Sequence, residues 1–195
     1  MSNGWTPLER DFYRRDPAEV AKDLIGKVLV RRLGLEILSG KIVETEAYYG
    51  EGDPASRAYR GRKKYNSPMF EEPGRLFVYM VHTWWLLNIV AHGEGGVGAV
   101  LIRGLEPVEG VQVMLMNRGI EDIQNLTNGP GKLARALAVT NELNHLDITE
   151  ESSDLVVTAG EYEVLDIGSS RRMGVTRDLP EELRFYIEGN RFVSG

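Results

Sequence analysis

With 195 residues and 42% hydrophobic content, the chain can bury one sizeable core, and its formal charge of −6 argues against a protein that coats nucleic acid by bulk positive charge. The absence of cysteine excludes disulfides, zinc–thiolate centres and iron–sulfur clusters. Residues Met1–Trp5 lack the apolar core of a signal peptide, and the longest apolar run, Trp84–Ala91, contains Asn88 and is too short to span a bilayer. A cytoplasmic, monomeric protein without membrane contact is expected.

In chain order, Asp16-Pro17-Ala18-Glu19 predicts a helix start, with an acidic N-cap, proline at the first helical position and a capping-box glutamate. That helix should run to Ile25 and end at Gly26. Strand-like segments follow at Lys27–Arg32, Lys41–Tyr48, Leu76–Val81, Leu86–His92 and Ala99–Leu105. Helices are expected at Glu109–Arg118 and Lys132–Val139, then short strands at Leu155–Thr158, Glu163–Ile167, Arg184–Glu188 and Arg191–Ser194. Strands outnumber helices and are not separated by regular helical crossovers. This points to one α+β domain over residues 1–195, with a mainly antiparallel, curved sheet flanked by a few helices.

The segment Ile42–Tyr49 carries the first chemical signal. On a strand, residues two apart point the same way, so Glu44, Glu46 and Tyr48 should share one face. Carboxylates on a buried face are costly unless they have partners or work to do. The chain then turns through Gly50–Pro54 into residues 57–64, which hold five cations (Arg57, Arg60, Arg62, Lys63, Lys64) and no acid. By contrast, residues 141–166 hold eight acids and no Lys or Arg. A carboxylate, stacking aromatics and a concentrated positive patch suggest chemistry on a nucleic acid. The competing reading is a solvated acid pair beside a solvated basic loop.

Two further segments fit the same theme. The run Leu76–Asn88 reads as two strands around a hairpin, whose tip would display His82, Thr83 and Trp84. Such residues are usually packing, but beside a basic patch they can also wedge between base pairs. Gly129-Pro130-Gly131-Lys132 opens a helix and offers backbone N–H groups and a cation to phosphate. Glu44, Glu46 and Asp53 could instead gather on Mg²⁺, and no dinucleotide or P-loop fingerprint is present.

Together, Val43-Glu44-Thr45-Glu46-Ala47-Tyr48, Pro73–Tyr79, Asn88-Ile89, Val100–Pro107 and Asn128–Leu133 occur in an order that resembles the alkyladenine (3-methyladenine) DNA glycosylases, over about Leu8 to Ser194. The resemblance implies a monofunctional glycosylase that flips damaged purines out of double-stranded DNA, hydrolyses the N-glycosidic bond without a cofactor or metal, and leaves an abasic site. It implies that Glu46 is the general base and that Arg103 helps to position the water and the sugar–phosphate. It places Tyr48 and Tyr79 on either side of the flipped base, and it makes Asn88 the residue that screens purines at their minor-groove edge. Arg57, Arg60, Arg62, Lys63, Lys64, Gly131 and Lys132 are the expected contacts to pocket or backbone, and a nucleoid-associated location follows. Two departures stand out. Arg57 replaces the histidine common in the family eleven residues after the glutamate, and the hairpin is one residue shorter, leaving His82 or Trp84 as the wedge.

Overall fold

The computed structural model describes residues 5–160 and 166–195. Its centre is one long strand, β2 (Glu36–Tyr48), rich in β-branched residues and buried on both faces over most of its length. One edge of β2 pairs with β5 (Ala99–Glu109). The other edge is shared by two strands, β1 (Val28–Leu33) against its first half and β8 (Arg184–Ile187) against Glu44–Glu46. Beyond β5 lie β4 (Trp84–Val90) and β3 (Leu76–Val81); beyond β1 lies β6 (Leu155–Thr158), and β7 (Ile167–Ser170) pairs with β8. All these pairings are antiparallel, and the sheet is curled into a half-barrel, as the α+β expectation required.

The β2–β5 register shifts on both sides of Glu44, with Arg103 falling between the paired positions Ile102 and Gly104. Such irregularities bend a strand and re-aim its side chains. Gly104 admits no side chain there, because a Cβ would stand 2.6 Å from the Phe192 carbonyl oxygen. The C-terminal segment can therefore cross directly over this part of the sheet.

Among the described residues four α-helices pack on this frame. They are α1 (Arg10–Tyr13), α2 (Pro17–Asp23), α3 (Val111–Arg118) and α4 (Pro130–Ala136). Helix α2 begins as its sequence predicts, with the Asp16 side chain accepting from the Ala18 N–H and Pro17 in the first turn. It buries Val20 and Ala21 against the sheet, where the Thr45 hydroxyl donates to the Ala21 carbonyl at 2.8 Å. Regular helix stops at Asp23, and a turn carries the chain to Gly26 at φ 83°. The later helices begin at proline or after a left-handed glycine, not at the charged residues expected. Gly110 (φ 72°) precedes Val111, and Pro130 opens α4.

Two expectations change. Arg191–Ser194 is not a strand: Asn190 Oδ1 accepts from the Phe192 N–H and the chain turns, delivering Ser194 to Glu44. The segment Glu163–Ile167 lies mostly outside the described residues; the described strand nearby is β7. Strand β4 starts at Trp84, which pairs with Val81, so the hairpin loop is only His82-Thr83. Trp84 thus belongs to a strand and not to the tip. Tyr13, Val20, Leu24, Leu29, Ile42 and Ile102 lie in the main core, with β2 at its centre.

Candidate active site

Both carboxylates of the Glu-Thr-Glu segment are fully buried, and both reach Arg103. Their surroundings nonetheless differ. Glu44 Oε1 accepts from Arg103 Nε at 2.9 Å, Arg184 Nε at 2.7 Å and the Ser194 hydroxyl at 2.8 Å, while Oε2 accepts from the Ser194 N–H at 2.6 Å. Its charge is thus countered by two guanidinium groups. That saturated carboxylate is a structural anchor.

Glu46 is held more sparingly. Its Oε2 accepts from the Tyr48 hydroxyl at 2.7 Å and Arg103 at 3.2 Å, and its Oε1 accepts from the Met173 N–H at 2.7 Å. Burial pushes its proton affinity up, and the Glu44 charge adds to this. Arg103, the Met173 N–H and Tyr48 oppose the rise, yet the balance stays above the usual carboxylate value. Burial alone would lower Arg103, but the facing Glu46 and Glu44 hold it above its ordinary value, fully cationic. Burial, then the adjoining Glu46 charge, raise Tyr48, which therefore stays a neutral donor.

In front of Glu46 opens a cleft of about 1130 Å³. Tyr48, Arg103 and Met173, the three residues that bond to Glu46, line it, so the carboxylate stands immediately behind the wall. Tyr79 faces the same space, and its phenol is raised by burial against the opposing influence of Arg57. The Arg57 guanidinium stands 4.8 Å from the centre of the Tyr79 ring. Arg60, His82, Trp84, Gly131 and Lys132 complete the convergence of sequence-predicted residues on this one cleft.

The remaining predicted residues lie elsewhere. Asn88 is buried below the cleft floor, in a small void it shares with Tyr48 and Tyr79, and its amide donates to the Phe77 carbonyl at 3.0 Å. Arg62, Lys63 and Lys64 are exposed and do not line the cleft; Arg62 lies over the Phe70 ring at 5.7 Å. Lys132 donates to Asn128 at 2.8 Å. The Trp84 ring rests against the backbone of Gly131, where an added Cβ would meet it at 3.0 Å, and Arg118 lies 5.7 Å over its face. His82, at φ 52°, and Thr83 are left as the exposed residues of the tip.

Asp53 does not join the two glutamates. Arg172 holds it through two bonds, at 2.6 and 2.7 Å. Among the described residues no three His, Asp or Glu side chains form a group suited to a metal ion. Arg172 and Met173 escaped the sequence reading, because no periodicity marks which arginine of the Arg171-Arg172 pair turns inward.

The antiparallel half-barrel, with a glutamate buried beneath an aromatic and cationic cleft, has the form of an enzyme domain, and sequence comparison supplies the family. The model of the methylpurine-DNA glycosylase family matches residues 11–191. The chain is 39% identical over 193 residues to a protein of Koribacter versatilis, covering 97% of this chain and 93% of that one. It is 42% identical to a relative from Aeropyrum pernix (96% and 92% covered) and 43% identical to one from Carboxydothermus hydrogenoformans (96% and 98% covered). All three carry the provisional designation of 3-methyladenine DNA glycosylase. The chain belongs to the methylpurine-DNA glycosylase family.

Proposed function

We propose that this protein is a monofunctional DNA glycosylase of base-excision repair, hydrolysing the N-glycosidic bond of damaged purines flipped from duplex DNA. The observation that carries this reading is the placement of Glu46: fully buried, raised in proton affinity, and directly behind a cleft walled by Tyr48 and Tyr79. A general base works best when its proton affinity approaches the working pH, and burial moves Glu46 in that direction.

In this reading the flipped purine enters between Tyr48 and Tyr79, and a water sits within reach of Glu46. As the bond from the anomeric carbon to the purine nitrogen breaks, the water oxygen bonds to that carbon. Glu46 takes a water proton, the purine leaves with the bonding pair, and an abasic site remains. Arg103 holds the carboxylate in place and offers its charge to the water and the sugar–phosphate. Arg60, Arg62, Lys63, Lys64 and Lys132 attract the phosphates, and His82 fills the gap left in the stack. Unstacking and unpairing cost a few kcal/mol, least for damaged bases.

The test is excision from duplexes that each carry one lesion (hypoxanthine, ethenoadenine or a methylated purine) at several salt concentrations, with and without EDTA. Release of free base that survives EDTA and leaves the strand uncut supports the reading. Strand cleavage that requires a metal would replace it with a nuclease, and binding without release would replace it with a recognition module.

A further inference from the structure

A second arginine, remote from the glutamate pair in sequence, lies next to two of the groups that hold Glu46. The Arg172 side chain is 0% exposed, and five hydrogen bonds fix its guanidinium. It binds both oxygens of Asp53, donates to the Ala47 carbonyl at 2.9 Å, and reaches Asp178 through Nε at 2.9 Å and a terminal nitrogen at 2.5 Å. Its centre also lies 4.5 Å from the Tyr48 ring centroid.

These contacts join three separate pieces of chain. Ala47 and Tyr48 end β2. Asp53 begins the loop to the basic run and is itself tied back to the Tyr49 N–H at 3.0 Å. Asp178 closes the turn that follows Arg172, accepting from the Arg172 N–H at 3.3 Å and the Leu179 N–H at 2.9 Å. The next residue in the chain, Met173, gives its N–H to Glu46. Both of the neutral donors to Glu46, the Tyr48 hydroxyl and the Met173 N–H, therefore belong to residues that adjoin one buried group, Tyr48 through its ring and Met173 through the chain.

We infer that Arg172, held by Asp53 and Asp178, is a positioning residue for the hydrolytic step, acting on Glu46 through the Met173 N–H and the packing of Tyr48. This rests on the reading of Glu46 as general base. Burying three charges is expensive, and an apolar cluster of similar size would stabilise the fold as well or better. A guanidinium, unlike an ammonium, holds a carboxylate with two parallel bonds and packs flat on an aromatic ring, so lysine cannot reproduce the geometry. The groups facing Glu46 are Arg103, Glu44, Tyr48, Tyr79 and the Met173 N–H. Of these, Arg103 and Glu44 are anchored through Arg184 and Ser194 and should be undisturbed by changes at position 172.

The experiment compares single-turnover excision across pH for the wild type, Arg172→Lys and Asp178→Asn, together with duplex binding and thermal melting. Loosening the Met173 N–H removes a hydrogen bond to a charged carboxylate. The acidic limb of the rate profile should then move to higher pH by roughly one unit. The plateau rate should fall by up to about 10²-fold while affinity for lesion duplex holds. If Arg172→Lys fails to fold, Asp178→Asn, at the rim of the cluster, decides alone. A folded variant with an unmoved acidic limb would overturn the inference, whether its rate falls equally at every pH or not at all. If the wild type itself releases no base, the reading of Glu46 fails first and separately.

Discussion

Glu44 and Glu46 lie two residues apart and share one arginine, yet only Glu44 also meets Arg184 and Ser194, while Glu46 keeps Arg103 as its one cationic partner. The same guanidinium therefore serves two ends. One carboxylate fixes Arg103, and Arg103 fixes the other. This division predicts different outcomes for two substitutions of the same kind. Glu46→Gln keeps the shape but cannot take a proton, so excision should fall about 10²–10⁴-fold while lesion-duplex binding persists. Glu44→Gln should instead lose stability, because it leaves Arg103 and Arg184 short of a buried counter-charge. Breaking such a pair costs about 3–5 kcal/mol. Thermal melts and single-turnover rates on both variants check this; near-normal rates in Glu46→Gln but not Glu44→Gln would reverse the assignment.

The pH dependence follows from the same contrast. Glu46 must be ionised to accept a proton, so excision should be lost as pH falls through its raised value. For stability the sign is opposite. The folded state holds the Glu46 proton more tightly than the unfolded chain, so stability declines as pH rises from the ordinary carboxylate range to that value. Asp53 behaves in the other sense. Burial would raise it, but bonds from Arg172 and from the Tyr49 and Ala55 N–H groups outweigh this and hold it low, so its contribution is lost in acid. Melting curves across pH should show the advantage of Glu46→Gln over the wild type growing with pH through that window, and Asp53→Asn losing part of the acid-limb dependence, the rest belonging to carboxylates such as Asp147 that are also held low. Parallel curves for wild type and Glu46→Gln would contradict the raised proton affinity.

Much of this site is legible in the sequence because local chemistry declares it. The alternation around Glu44-Thr45-Glu46 reads as a strand, the five cations of residues 57–64 form a run, and Pro17 and Pro130 mark helix starts. What is not legible is long-range pairing. Asp53 looks like a free carboxylate beside two others until Arg172, 119 residues away, claims it. Ser194 looks like the end of a strand, yet Gly104 leaves room for it to cap Glu44 from across the sheet. Trp84 looks like a hairpin tip because a two-residue loop with a positive φ at histidine has no glycine to announce it.

Lys63 and Lys64 are exposed beside the cleft and outside its lining, which suits phosphate binding better than base recognition. Neutralising both should weaken binding to every duplex alike and reduce the salt slope by roughly 0.9 for each phosphate no longer neutralised. Titrations of lesion and undamaged duplex at several salt concentrations provide the measurement. An unchanged slope would move the backbone-binding role to Lys132 and Arg171.

The hairpin tip allows stability and function to be separated at one position. A non-glycine residue at φ 52° is strained by on the order of 1 kcal/mol, which glycine would relieve. If His82 fills the gap left by the flipped base, His82→Gly should melt no lower than the wild type. It should nonetheless excise more slowly from fully paired duplex than from mismatched or single-stranded substrate. Trp84→Ala should instead melt lower, because the indole packs on Gly131. Equal loss of excision on all substrates for His82→Gly would show that the tip only supports the fold.

If Arg57 faces the extruded base, it bears on which lesions are removed. Its guanidinium stands 4.8 Å from the Tyr79 ring centre, the residue lines the cleft together with Tyr48 and Tyr79, and its backbone carbonyl is pinned by the Asn66 amide at 2.8 Å. No carboxylate forms an ion pair with it among the described residues. Arginine stays protonated at any working pH, so the pocket carries a standing positive charge. Purines methylated at N3 or N7 are cations. Arg57 is exposed, so water screens its charge: two unit charges about 4 Å apart repel by about 1 kcal/mol in bulk water and about 4 kcal/mol at an effective dielectric of 20, and a value between these is enough to reorder substrates. Neutral lesions such as hypoxanthine or ethenoadenine escape that penalty. The expected ranking therefore places neutral damaged purines first, and Arg57→His should restore excision of cationic ones relative to neutral ones. Rates on matched duplexes carrying each lesion give the ratio directly. If Arg57→His weakens every duplex equally and leaves that ratio unchanged, the guanidinium serves a phosphate outside the pocket and takes no part in selecting the base.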